Sequence, residues 1–204
     1  AAFRTALEGL GLREEDMDRP ELKLEGNECD AFRIMAGLGE CLVAQEKDKA
    51  AGPALRRAAG LCANSHRPAL AFGRMFLRQG NLGPAEQALE MARGKDCGNA
   101  LADIDAALSR VYERQGRTRA AYAAARSALK SRPDDPALMT RAVALGQCLG
   151  RGADVEQIYR SFLELRPGNV AALNGLAEIC RSAGRPEEAD RLSETAALLS
   201  AASG

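Results

Sequence analysis

The sequence predicts an all-α protein, an α-solenoid of stacked helix-turn-helix hairpins, on three observations. The stretch Leu101–Asp135 has the pattern helix, tight turn, second helix, proline stop. Matching stretches recur along the chain at a nearly constant interval, which is the mark of a repeat architecture. Of the 204 residues, 46% are hydrophobic, much of that alanine, and only 4% are aromatic, which suits thin close-packed helical layers better than one thick core.

Within Leu101–Asp135 the apolar residues Leu101, Ile104, Leu108, Val111 and Tyr112 fall three and four apart, along one face of a helix. Gly116 interrupts, and Thr118 is placed to cap a second helix bearing Ala121, Ala125, Ala128 and Leu129. Pro133 ends that helix, and Asp134-Asp135-Pro136 begins the next. Copies of the segment start at residues 32, 66, 102, 136 and 170, separated by 34, 36, 34 and 34 residues. The array therefore divides into 32–65, 66–99, 102–135, 136–169 and 170–203. Gly80, Gly116, Gly150 and Gly184 stand fifteenth in their copies.

On these residues the chain from Phe32 onward resembles the tetratricopeptide repeat family, whose pattern asks for small residues at the eighth, twentieth and twenty-seventh places. The eighth holds Gly39, Gly73, Ser109, Val143 and Ala177, and the twentieth holds Ala51, Ala85, Ala121, Val155 and Ala189. The twenty-seventh holds Ala58, Ala92, Ala128, Phe162 and Ala196. Two antiparallel helices approach closely only where side chains are small, and Leu38, Phe72, Leu108, Tyr112, Tyr159 and Leu176 fill the space between. The resemblance implies a right-handed solenoid whose first helices line a concave groove, and a protein-protein interaction scaffold rather than an enzyme. The fourth place lacks the family's tryptophan, and Asp105 occupies it in the third copy. The bulk of Val143, Val155 and Phe162 predicts a wider helix spacing in the fourth copy without loss of the fold.

In chain order, residues 1–31 fall outside the repeat. Phe3, Ala6, Leu7 and Leu10 have helical spacing, and Arg13–Glu28 is charged and broken by Pro20 and Gly26, so the segment reads as a helix and linker that can cap the first copy. The first helix of copy one is expected at Asp30–Glu46. Pro53 and Pro84 are expected in the first turns of second helices, where proline is tolerated. Phe72, Met75 and Phe76 read as inter-helix packing. Asn169 caps the last copy, which turns at Gly184-Arg185-Pro186, with Glu187 and Glu188 favouring the positive end of the next helix. Near the end, Leu192, Leu198 and Leu199 are left without a covering helix, an edge suited to self-association.

Twenty-eight basic residues balance 28 acidic ones, so no bulk field steers the chain toward nucleic acid. No apolar run reaches the roughly 20 residues of a membrane span. Neither a phosphate-binding glycine loop nor a G-x-S-x-G nucleophile turn occurs, and no cofactor is implied. His66 is the one histidine, and Cys62 alone does not complete a metal site with it. Cys41, Cys148 and Cys180 are expected as small apolar filler inside first helices, in a reduced, cytoplasmic protein. Cys62 and Cys97 end consecutive second helices, where a disulfide is conceivable.

The remaining candidate is the groove. The resemblance places residues two, five, six, nine, twelve and thirteen of each first helix in it. The second copy then offers Arg67, Leu70, Arg74, Leu77 and Arg78. The third offers Asp103, Ala106, Arg110, Glu113 and Arg114, the fourth Thr140, Arg141, Ala144 and Gln147, and the fifth Asn174, Glu178 and Arg181. Across the three central copies six arginines face two acids, in a chain that is neutral overall. Arginine forks pair with carboxylates at two points, so the expected partner is an acidic peptide or protein. The family's carboxylate-clamp branch uses lysines and asparagines where this chain has Ala36, Glu40, Ala71, Asp103 and Ala107, so that specificity is not expected. The alternative is a regulatory or self-associating segment of a larger multidomain protein.

Overall fold

A computed structural model describes residues 28–95 and 97–202. Among the described residues the regular structure is ten α-helices and one 3₁₀ turn, with no strand. In chain order they are α1 (Glu28–Ala44), α2 (Asp48–Leu61), α3 (Arg67–Gln79), α4 (Leu82–Arg93), α5 (Leu101–Arg114), α6 (Thr118–Ser131), α7 (Pro136–Cys148), α8 (Gly152–Leu165), α9 (Val170–Ser182) and α10 (Pro186–Ala202). The two residues that lengthen the interval before the third copy fall in the connection between α4 and α5, which carries the 3₁₀ turn Gly98–Ala100. The expected N-terminal helix and linker lie outside the described residues, apart from Glu28 onward, which opens α1.

The described residues form two compact units that divide between Gln115 and Gly116. In the first, α1 packs on α2, α3 on α4, and α4 on α5, while α3 also touches both α1 and α5. The first helices of three successive copies are thus neighbours. In the second unit each helix packs on the next, from α6 through α10.

All fifteen residues at the eighth, twentieth and twenty-seventh places are buried. Two of them show why size matters. A Cβ on Gly39 would stand 2.3 Å from the side chain of Leu55, and one on Gly73 would stand 2.5 Å from that of Leu89. Both leucines are fully buried and lie sixteen residues after their glycine. The bulkier fourth copy is accommodated by glycines elsewhere. A Cβ on Gly146 would meet Val155 at 2.8 Å and the Tyr122 ring at 3.1 Å, and one on Gly175 would meet the Tyr159 ring. Phe72 and Phe76 stack at 5.9 Å between centroids and pack, half-buried, against the core around Leu55 and Met75.

The fifteenth residue has positive φ in every copy: Gly80 (83°), Gly116 (75°), Gly150 (68°) and Gly184 (73°), but Glu46 (60°) in the first. This left-handed residue lets the next amide donate to the carbonyl five residues back, as Lys47 does to Leu42 and Asn81 to Phe76, both at 2.9 Å. Asp135 accepts from the amides of Ala137 and Leu138, and Asn169 from that of Ala172, so these caps form as expected. Thr118 does not cap α6. It is the first helical residue, and Arg117 holds the cap position without a side-chain bond. Pro53 sits deeper than its spacing suggests, because α2 already begins at Asp48. Cys180 is buried filler, whereas Cys41 and Cys148 are exposed, and none of the six cysteines is in a disulfide.

The face of the first helices

The sequence-chosen arginines lie along neighbouring first helices, and in the first unit most already have partners. Arg67 on α3 grips Glu40 on α1 at two points, Nε and Nη2 each 2.8 Å from a carboxylate oxygen. Its guanidinium also lies 5.9 Å from the centre of the Phe32 ring. The hydrogen bond to Glu40, together with the Glu40 charge and against the opposing effect of burial, raises the Arg67 guanidinium pKa. On the next helix pair the same places recur with the signs exchanged: Arg74 on α3 lies 3.7 Å from Asp103 on α5. In both cases place nine of one copy faces place two of the next.

Place thirteen has a different task. Arg78 donates to the carbonyl of Val43 at 2.6 Å and pairs with Asp48, which also accepts from Gln79 at 2.8 Å. Arg114 donates to the carbonyl of Leu77. Each arginine therefore adds a donor to a carbonyl in the last turn of the first helix of the preceding copy, beside the turn amide of Glu46 on Val43 and of Gly80 on Leu77. Leu70 is 8% exposed and belongs to the core, and Leu77 is half-buried. Arg110, at place nine of the third copy, is exposed. Place two of the fourth copy holds Ala137.

In the second unit Arg141 on α7 is half-buried, and Asn174 and Arg181 on α9 are exposed, with Arg181 3.5 Å from the Ser193 hydroxyl. A cluster of charges in this unit lies on the second helices and the turn before α10. Arg160 reaches Glu188 at 2.6 Å and Glu156 at 2.9 Å, and Arg185 reaches Glu156 at 2.7 Å and Glu188 at 3.0 Å. The hydrogen bond from Arg185, then that from Arg160, holds the Glu156 carboxyl below its usual range. Arg160 does the same for Glu188. This closed ring of four charges ties α8 to α10.

Sequence reasoning missed the acids Glu40, Asp48 and Asp103 as partners of the arginines. The signal for two of them was present, since opposite charges at places nine and two of successive copies can be read off once the period is fixed. Arg93 beside Asp105, at 3.1 Å, also went unread, although Asp105 stood out as a polar residue at a core place. Asp105 is fully buried, while Arg93 remains 42% exposed. Among the described residues no group of histidine, cysteine and acidic side chains is arranged to hold a metal ion. No described helix is long and apolar enough to cross a membrane.

Paired helices with small residues at fixed places define a helical-repeat protein. A tetratricopeptide repeat family model matches residues 149–199, from just before α8 into α10. Among solved structures it is similar to MamA, at 16% identity over 81% of this chain and 95% of that one, with a TM-score of 0.63. YrrB, described as a tetratricopeptide repeat protein with an unusual peptide-binding site, aligns over 98% of this chain and 92% of its own, at 14% identity and a TM-score of 0.64. PilF of Pseudomonas aeruginosa aligns over 84% of this chain and 77% of its own, at 16% identity and a TM-score of 0.64. No curated protein matches the sequence. The likeness to these structures is one of fold, a stack of paired helices.

Proposed function

We propose that this chain is a non-catalytic scaffold that binds an acidic peptide or protein along the first-helix face of its repeats. The observation that carries the reading is Arg110. It is exposed on α5, on the same face as Arg74 and Arg114, and the ion pairs that engage Arg67, Arg74 and Arg78 do not include it. A guanidinium so placed is set to take a carboxylate from outside. Arg74 and the exposed residues Asn174 and Arg181 extend the polar character of this face within their own units. Arg67, Arg78 and Arg114 contribute charge and shape while holding structural partners. The peptide-binding site attributed to YrrB, a protein of the same fold, supports a peptide as ligand. Cysteines outside any disulfide support a reduced, cytoplasmic setting. Backbone amide NMR of the labelled chain, titrated with an acidic synthetic peptide, tests the location. Shifts are expected on α3 and α5, and shifts confined to α2, α4 and the other second helices would refute it.

A second reading, self-association through the last repeat, is favoured by Leu198, which is 67% exposed on α10 beside half-buried Leu199. Sedimentation across protein concentrations tests it: a mass that stays monomeric removes that reading.

A further inference from the structure

We infer that Asp103 is a built-in competitor for Arg74, so that the chain itself limits its affinity for the acidic partner proposed above, on which this inference rests. The ion pairs of the first-helix arginines Arg67, Arg74 and Arg78 are not equivalent. Arg67 has two short hydrogen bonds to Glu40 and an aromatic ring beside it. Arg78 is anchored by a main-chain carbonyl as well as by Asp48. The Arg74–Asp103 pair is separated by 3.7 Å, beyond hydrogen-bond distance, and its side chains are 50% and 40% exposed.

Such a contact is weak enough to be exchanged, yet it places a carboxylate where a ligand's carboxylate would sit. A partner that offers two oxygens in the plane of the Arg74 guanidinium makes the two-point contact that Asp103 does not make. Asp103 and Arg110 are seven residues apart on α5, two turns of one face and about 10 Å along the axis. An extended peptide in the polyproline-II conformation makes one turn in three residues and covers about 9 Å, so its side chains three apart lie on one side. Acids three residues apart in such a ligand therefore match Arg74 and Arg110 together. The specificity this assigns is for an extended chain with spaced acids, with Arg110 open and Arg74 released from Asp103 on binding.

The test is the fluorescence anisotropy of labelled octaglutamate titrated with the whole chain at low salt. It compares wild type, Asp103→Asn, Arg74→Gln, the Arg74→Gln/Asp103→Asn double variant and Arg110→Gln, with helicity checked by circular dichroism. Asp103→Asn is expected to tighten binding about twofold to fivefold, the range of an exposed ion pair, and to have no such effect in the Arg74→Gln background. Unchanged or weaker binding by Asp103→Asn overturns the inference. Equal tightening with and without Arg74 also overturns it, because the effect would then be long-range charge alone. If Arg110→Gln weakens binding while Asp103→Asn does nothing, only the competitor fails and the acidic-peptide reading stands. If octaglutamate binds none of the five proteins, both fall.

Discussion

The guanidinium of Arg114 donates to the carbonyl oxygen of Leu77, in the last turn of the first helix one copy earlier. Arg78 stands in the same relation to Val43. The place that the family pattern assigns to a ligand is thus used here to join successive repeats. Replacing Arg114 by methionine keeps much of its apolar stem and removes the donor. It should cost about 1 to 2 kcal/mol, read as a lower denaturation midpoint. Arg110→Met, by contrast, should stay within about 0.5 kcal/mol of wild type, because the exposed Arg110 carries no such bond.

Glu46 occupies a left-handed conformation that glycine holds in the other four copies. A side chain there is strained by its Cβ against the following carbonyl, by about 1 kcal/mol. Glu46→Gly should raise the unfolding free energy by that amount, and Gly184→Ala should lower it similarly. Thermal melts of both variants check the pair.

Gly175 lies under the Tyr159 ring, and a Cβ added there would stand 2.3 Å from the hydroxyl oxygen and 2.4 Å from Cζ. Gly175→Ala should destabilise by about 1 to 3 kcal/mol through overpacking. Tyr159→Leu in the same chain should recover part of that loss, since it vacates the space the new methyl needs. Equal, additive losses in the double variant would show that the two residues do not share that space.

The ring of Arg160, Glu156, Arg185 and Glu188 sets an acid limb of stability. Both carboxyls titrate below their ordinary range in the folded chain, Glu156 chiefly through Arg185 and Glu188 chiefly through Arg160. A folded pKa below the unfolded one gives stability that is present above the unfolded value and lost as pH falls through the folded one. Melting temperature should therefore drop as pH is lowered below the ordinary glutamate pKa of 4.5. Glu156→Gln should melt lower at neutral pH and show a shallower fall with acid.

Much of the fold was legible because its determinants are periodic letters. The 34-residue interval, the glycine at place fifteen and the small residues at three places fix two helices and a turn per copy. The site was less legible. A main-chain acceptor such as the Val43 carbonyl has no letter, so Arg78 read as free when it is occupied. Glu46 takes the left-handed turn because the two helices it joins dictate the geometry, whatever residue stands there. The fit of Gly175 to Tyr159 joins helices of different copies and is invisible within one copy. Cys41 and Cys148 lie in first helices yet face solvent, since composition alone does not say which side of a helix is inward.

The most direct test of the account is charge reversal on the first-helix face. Labelled acidic peptide is titrated with wild type and with the Arg74→Glu/Arg110→Glu double variant at low and high salt. The account predicts saturable binding by wild type that weakens with salt and is lost in the variant, whose helicity stays intact. Binding that is unchanged by both salt and charge reversal would contradict it.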